Sequence, residues 1–317
     1  MKVMDVPAAC LGLSIIRAED HDCFQAAMEQ ADIRSHHYYF PRLLFSGQRE
    51  RRLLLFEQVS GSVLLYSLHQ RESGLGLNLY VPPFPFQTQA LQWAQDRMRD
   101  FNRGRGGQIE WVQEKDIPLI EGHGFLASLR EQEFIYDRAA VVALQGSQFA
   151  RVRRYLASLK KYDELVVRSF TPADEAGCMA LYRKFRTQLK EKGIEPKGLA
   201  AMANCLKDAV RLPASRMQGE VFEVDGTVRA YSFGGPINSV YGCVFLTVAD
   251  HDFPGLAYAL RHQMMKNFPD LSYFNDSTDN NRPGLREMKQ RFRPVEMHSI
   301  YKAQEARRGS KGSSLPL

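Results

Sequence analysis

Long hydrophobic runs are missing from this sequence. No stretch approaches the roughly 18 consecutive apolar residues that a membrane-crossing helix needs. The opening MKVMDVPAACLGLSIIRAED has no proper apolar core before its acidic residues arrive. A transmembrane span and a secretory leader are therefore both unexpected. Cysteine is sparse. Cys10, Cys23, Cys178, Cys205 and Cys243 are odd in number, and no two stand at metal-ligand spacing. They read as reduced thiols of a cytoplasmic protein rather than a disulfide framework. The eight histidines form neither an HxH nor an HExxH pattern. The adjacent pair His36 and His37 would diverge on a helix or a strand, so no metal site is expected.

What is present suits a globular chain with a sizeable core. Of its 317 residues 44% are hydrophobic and 25% charged, and the length suggests about two domains. A formal charge of +6 is compatible with a polyanionic partner. The cations cluster. Arg151, Arg153, Arg154, Lys160 and Lys161 lie in one segment, and Arg183, Lys184, Arg186, Lys190 and Lys192 in another. Such runs are ordinarily solvated helix faces; two of them flanking one groove would form an anion-binding surface.

The periodicity predicts a repeated order of elements. In the first half a helix covers Asp20 to Ala31, strands run Arg52 to Val59 and Ser62 to His69 around a Ser60-Gly61 turn, and Leu75 to Val81 alternates. A helix follows over Gln87 to Asn102, then a strand Gln108 to Gln113, a short helix Asp116 to Glu121, and a strand near Phe134 to Asp137. A basic amphipathic helix, Gly146 to Lys161, carries Phe149, Val152, Leu156 and Leu159 on one stripe. The second half repeats the plan. Strand Leu165 to Phe170 precedes a helix begun by Pro172 and another over Leu199 to Val210. A hairpin turns at Asp225-Gly226, and a long strand covers Val240 to Val248. Leu256 to Phe268 is helical, Leu271 to Asn275 a strand, Leu285 to Phe292 helical, and Met297 to Lys302 a strand. This order is that of the GNAT acyltransferase fold written twice. The expected architecture is α/β, with tandem GNAT-like domains at 1–145 and 163–305, a central inter-domain groove, a connecting helix at 146–162 and a disordered basic tail at 306–317.

An ordinary GNAT domain holds coenzyme A pyrophosphate on backbone N–H groups at a helix N-terminus. Arg71-Glu72-Ser73-Gly74-Leu75-Gly76 matches that motif by letter but joins two strands, and reads as a hairpin turn. The corresponding loop of the first half, Val81 to Gln87, carries prolines that have no N–H to donate. That of the second half, ADHDFPG, offers Asp250 and Asp252, whose carboxylates repel a pyrophosphate. Acyl-CoA is therefore the less favoured donor. Asp250 and His251 have two readings there: a turn with a helix cap, or a carboxylate–imidazole pair that handles a proton.

The segment YFNDSTDNNRPGLREMKQRFRP, Tyr273 to Pro294, ends an apolar strand in small polar residues and then a basic helix. It has the composition of a loop aimed at a polar or anionic ligand. Asn275, Asp276, Thr278, Asp279 and Arg286 are candidate substrate contacts. Lys289 and Arg293, four apart, would share a helix face and neutralise a phosphate or carboxylate.

With these residues the chain resembles the C-terminal catalytic domain of phosphatidylglycerol lysyltransferases and its soluble relatives. Phe134 to Lys161, including Leu144, Gly146 and the basic pair Arg153-Arg154, resembles one family motif. Asn275, Asp279, Gly284-Leu285-Arg286, Lys289 and Phe292-Arg293-Pro294 resemble another. The chain differs in having no membrane-crossing stretch, and in carrying Ser277-Thr278 where the family has a glutamate after the asparagine. The resemblance implies a tandem GNAT fold, no metal, and transfer of an aminoacyl group from aminoacyl-tRNA. In membrane-bound members the acceptor is a phospholipid glycerol hydroxyl, and the substrates are aligned in a groove or tunnel between the halves.

The leading expectation is an acyltransferase with aminoacyl-tRNA as co-substrate, no resident cofactor, and a polar or anionic small-molecule or lipid acceptor, with peripheral membrane contact allowed. Arg151, Arg153, Arg154, Lys160 and Lys161 would hold tRNA phosphates. The alternatives are a GNAT enzyme using acyl-CoA or an acyl-carrier protein, and a non-catalytic tandem GNAT that binds RNA or a membrane surface.

Overall fold

The computed structural model describes residues 11–49, 52–72, 74–195, 199–209 and 212–306. They fall into two compact units. One holds the described residues of Met1–Ala31, Gly47–Glu131 and Ser299–Leu317, the other those of Asp32–Ser46 and Gln132–His298.

In the first unit, strands Arg52–Val59 and Ser62–Arg71 pair antiparallel. Their turn residues Ser60 and Gly61 both have positive φ, 52° and 78°, which matches the right-handed twist of the flanking strands. Strand Gly74–Leu79 adds antiparallel to the hairpin. Helix Thr88–Phe101 then crosses over, and strand Gln108–Gln113 returns parallel to Gly74–Leu79 at Leu79–Ile109. The helix buries Ala90, Leu91, Ala94 and Met98 at helical spacing against Leu55, Leu64, Tyr66, Leu77 and Leu79.

The second unit repeats that order. Strands Gln218–Val224 and Thr227–Pro236 form a hairpin whose turn, Asp225-Gly226, has φ of 51° and 67°. Tyr241–Ala249 follows antiparallel, helix Leu256–Lys266 crosses over, and Tyr273–Asn275 returns parallel to Tyr241–Cys243. The parallel partnership stops at Cys243–Asn275, and there the chain leaves the sheet as a loop. Strand Phe125–Asp137 flanks Tyr273–Asn275 on its other side.

The compact units do not follow the boundary expected at residues 145–163. Residues 32–46 belong to the second unit because its polar groups hold them. Asn238 Nδ2 donates to Ile33 O (2.7 Å), Tyr39 Oη to Arg216 O (3.1 Å), and Asn275 Nδ2 to Arg34 O (2.8 Å). The end of strand Glu296–Glu305 belongs to the first unit, where Ile300 to Gln304 pair with Gln113 to Gln108. The connecting segment is helical but not one helix. A 3-10 turn, Ser147–Phe149, precedes α-helix Ala150–Ala157, and a second 3-10 turn covers Ser158–Lys161. Its buried stripe is Phe149, Val152 and Leu159. The helix at Leu199 is described as far as Asp208. Val210, Cys10, Ser73 and the tail beyond residue 306 lie outside the described residues.

Candidate active site

The loop that follows Tyr273–Asn275 is polar in sequence, yet Asn275, Asp276, Thr278 and Asp279 are all buried. A buried polar loop needs internal partners, and it has them. Asn275 Oδ1 accepts from the Ser277 amide at 2.7 Å, Thr278 Oγ1 from Asn280 (3.1 Å), and Asp279 Oδ1 from Asn281 (2.9 Å). These side-chain turns hold Ser277, Asn280 and Asn281 in the left-handed region, at φ of 57°, 50° and 56°. Such backbone costs about 1–3 kcal/mol per residue and collects at functional sites.

Two buried cations brace the loop. Arg261 Nε on the crossover helix donates to Asp276 Oδ2 at 2.7 Å. Lys289 donates to the carbonyls of Asp276 and Thr278, and lies 3.6 Å from Asp276 Oδ1. Burial pushes the Lys289 amine down to about 8, with Asp276 pulling against it. Lys289 therefore fastens the loop and does not form the expected helix-face pair with Arg293. The helix stops at Gln290, and Arg293 lies beyond it at φ 57° with Nε donating to Gln148 O. Asp279 takes a 2.9 Å ion pair from Arg286. Half-buried Arg282 has a buried Nε with no hydrogen bond among the described residues. Burial, then neighbouring Arg261, pushes its guanidinium pKa down.

Behind the loop lies a group that the sequence did not announce. His36 and His37 occupy a 3-10 turn with ring centroids 4.1 Å apart, so the expected divergence of adjacent side chains does not hold there. His36 Nδ1 is 2.5 Å from Glu133 Oε1, and His36 Nε2 is 3.1 Å from Ser277 Oγ. Glu133 also accepts from Ser35 Oγ (2.9 Å), the His36 amide (3.4 Å) and Asn275 Nδ2. Burial pushes the His36 imidazole below its ordinary value and outweighs the pull of Glu133. Burial alone would raise the Glu133 carboxyl, but the donors from His36 and Asn275 bring it lower. Two imidazoles and a carboxylate are donor types that zinc accepts. Here Glu133 is already surrounded by hydrogen-bond donors.

Asp250 and His251 are adjacent in the chain but serve different partners. Asp250 is buried and accepts from Lys184 Nζ (2.8 Å) and Gln188 Nε2 (3.2 Å), with Arg229 Nη1 at 3.4 Å. Burial would raise its carboxyl, yet Lys184, the Asp252 amide and Gln188 hold it below its usual range. His251 is exposed, with Nδ1 3.1 Å from Lys192 Nζ rather than against Asp250. Burial and Lys192 push its imidazole down. The amides of this loop are engaged as well. Asp250 N donates to Arg229 O (2.8 Å), His251 N to Gln188 Oε1 (3.3 Å), Asp252 N to Asp250 Oδ1 (3.2 Å) and Phe253 N to Asp250 O (3.1 Å).

On the connecting segment Arg154, Lys160 and Lys161 are exposed, and Lys161 lies over the Tyr162 ring. Arg151 faces Glu287 at 3.8 Å. Arg153 is exposed as well, but its guanidinium is engaged, donating to the carbonyls of Leu144 (2.5 Å) and Gly146 (2.7 Å) at the end of helix Arg138–Ala143.

The profile of the family described as "Phosphatidylglycerol lysyltransferase, C-terminal" matches residues 34–304, which contain every group above. The chain belongs to that family. Its fold is similar to that of a conserved protein of unknown function from Bacteroides thetaiotaomicron VPI-5482 (TM-score 0.80, 19% identity, 93% of this chain and 99% of that one). It is also similar to L-PGS from Bacillus licheniformis (TM-score 0.67, 14% identity, 92% and 93%). A tandem GNAT protein from the clavulanic acid biosynthesis pathway matches at TM-score 0.53 and 12% identity, over 93% and 98% of the two chains. The tandem GNAT-like architecture expected from the element order is thus the one observed. No curated protein matches this chain. No helix among the described residues is long and apolar enough to cross a membrane.

Sequence reasoning missed His36, Glu133 and Arg261. Glu133 and His36 are 97 residues apart, and His36 and Ser277 are 241 apart, so no local pattern joins them. The available signal was a charged residue set directly against the apolar strand Phe134-Ile135-Tyr136.

Proposed function

We propose that this protein is an aminoacyltransferase that takes its aminoacyl group from aminoacyl-tRNA and passes it to a hydroxyl or amine of a lipid or small polar acceptor in the cytoplasm or at a membrane surface. The observation that carries this reading is the family match across residues 34–304. Within that span the braced loop 276–281 has a base behind it and the half-buried Arg282 at its end. An aminoacyl ester is already activated, so the protein's tasks are alignment, proton transfer and stabilisation of developing charge. Arg282 and Arg286 suit an anionic acceptor or a donor phosphate. Asn275, Asp276, Thr278, Asp279 and Lys289 shape the loop that presents them, and Arg293 lies at its edge. Of the pair Asp250 and His251, the imidazole is the accessible proton acceptor, and His251→Gln tests it by turnover. Arg151, Arg154, Lys160 and Lys161 form the tRNA-binding face, with Arg153 holding its backbone.

Acyl-CoA is the weaker donor on two counts. The four amides from Asp250 to Phe253 are already donated, and Pro254 has no N–H. A pyrophosphate there would also meet Asp250 and Asp252.

The test incubates the protein with charged tRNA and, separately, with acyl-CoA. Loss of ester from charged tRNA above background hydrolysis is expected, and turnover of the thioester alone refutes the reading. Replacing Arg154, Lys160 and Lys161 together by Ala should weaken RNA binding and lower its salt slope by about 3. An unchanged slope removes the RNA from this face.

A further inference from the structure

We infer that Ser277, His36 and Glu133 form a nucleophilic relay, in which Ser277 takes the acyl group as a covalent ester before it is passed on. This deepens the transferase reading above and rests on it for the identity of the donor, but not for the chemistry.

Three observations carry it. The first is geometry. Glu133 Oε1 lies 2.5 Å from His36 Nδ1, so that nitrogen carries the proton and Nε2 is the acceptor, 3.1 Å from Ser277 Oγ. Nucleophile, base and orienting carboxylate thus stand in the sequence of contacts that activates a serine. The second is graded burial. The Glu133 side chain is 0% exposed and that of His36 3%, while Ser277 is half-buried. The end that must meet substrate is the accessible one. The third is the setting of the serine. Ser277 is left-handed at φ 57°, in the turn between a strand end and a helix. Its amide is held by Asn275 Oδ1 (2.7 Å), and its carbonyl accepts from Phe134 N (3.1 Å). A serine held at both its amide and its carbonyl in left-handed backbone, with its hydroxyl against an imidazole, is a fixed and oriented nucleophile. Asn275 ties the parts together, because the same side chain caps the Ser277 turn and donates to Glu133.

The step balances without a further reactant. Ser277 Oγ forms a bond to the carbonyl carbon of an activated ester as its proton passes to His36 Nε2. The carbon–oxygen bond to the leaving alcohol breaks, and His36 returns the proton to that oxygen. In the second half the acceptor hydroxyl, amine or a water attacks the Ser277 ester, gives its proton to His36, and Ser277 Oγ leaves with it. Glu133 touches no reacting atom in either half; it is a positioning residue that keeps the proton on Nδ1.

The test uses a fluorophosphonate on the purified full chain. Attack by Ser277 Oγ displaces fluoride and leaves one phosphonyl adduct, read by intact mass and peptide mapping. We expect a single adduct on Ser277 in the wild type and none in Ser277→Ala, with both proteins giving the same circular dichroism. Labelling should slow at least tenfold in Glu133→Gln and, in the wild type, fall off in acid below the ordinary imidazole range as His36 takes a proton. The groups that set that profile are Glu133, Arg42 and Lys289 around His36, with His298 acting on Glu133 and His37 in contact with it. A structural serine would show no such profile. No adduct on Ser277, or equal labelling of Ser277→Ala, overturns the relay. With charged tRNA, acid-quenched wild type should carry the aminoacyl group on Ser277. Full turnover by Ser277→Ala also overturns the relay. If charged tRNA is not consumed while Ser277 still labels, the relay stands and the donor assignment fails.

Discussion

Lys289→Met asks whether the site loop is held by a buried ammonium. Lys289 is 2% exposed and donates to two loop carbonyls, those of Asp276 and Thr278. Its amine falls from 10.5 to about 8 on folding, which corresponds to about 3 kcal/mol of burial cost at 1.36 kcal/mol per pH unit. Below pH 8 the folded and unfolded chains both carry the charge, and the fold bears that whole cost. Between pH 8 and 10.5 the folded form gives up the proton while the unfolded chain keeps it. The contribution to stability therefore rises with pH. Methionine removes the burial cost but orphans two carbonyls, each worth roughly 1–3 kcal/mol. Asp276 keeps Arg261 at 2.7 Å. At pH 7 these effects nearly offset, and the variant should lie within about 3 kcal/mol of the wild type on the destabilised side. At pH 10 the gap should have widened by about 2–3 kcal/mol. Urea unfolding of both proteins at pH 7, 8.5 and 10 measures it. The buried thiols of Cys178, Cys205 and Cys243 are pushed up by burial, so they lower stability as pH rises. Cys178 and Cys205 do not feel Lys289 and subtract out, while Cys243 loses the downward pull of Lys289 in the variant, which widens the gap further at high pH. A gap that stays constant from pH 7 to 10 refutes the reasoning, because a lysine that keeps its proton through that range is not held in a dry site.

Asp250→Asn tests whether that carboxylate is structural. Its buried oxygens hold Lys184, Gln188 and Arg229, so the variant should lose roughly 1–3 kcal/mol in thermal unfolding and keep its turnover in the cold. Full loss of turnover with an unchanged melting temperature would return Asp250 to the chemistry. Asp174 is held down to about 2 by the Arg168 hydrogen bonds, with the Thr171 amide and hydroxyl adding to them. A depressed carboxyl stabilises above the unfolded value of 3.8 and loses that contribution as pH falls toward 2. Allowing for screening at the partly exposed Arg168, Asp174→Asn should cost about 1–2 kcal/mol at pH 7, with the difference vanishing in acid unfolding near pH 2. Gly234 sits at the bulge of strand Thr227–Pro236, where a Cβ would stand 2.4 Å from the Cys243 carbonyl oxygen. Gly234→Ala should destabilise the second unit by roughly 1–3 kcal/mol, seen as a lower urea midpoint.

The sequence by itself determined most of the elements and their order, though not helices Phe40–Gly47 and Arg138–Ala143 or the full length of strand Phe125–Asp137. Ser60-Gly61 and Asp225-Gly226 turn where left-handed backbone is needed. Ala90, Leu91, Ala94 and Met98 repeat at helical spacing, and the two halves alternate helix and strand alike. Turn chemistry and hydrophobic period act over a few residues, so a reader of the chain sees them directly. The polar loop after Asn275 was legible for the same reason, and so was its family resemblance. Only the tertiary structure decided what that loop is for. It buried Asp276 against Arg261 and Lys289, turned Arg153 onto backbone carbonyls, and gave Asp250 to Lys184 rather than to His251. It also carried residues 32–46 into the second unit and set His36 between Glu133 and Ser277. These contacts join positions far apart in the chain. They exist because a buried polar group must find a partner wherever the packed fold supplies one, and no local pattern records which partner that is.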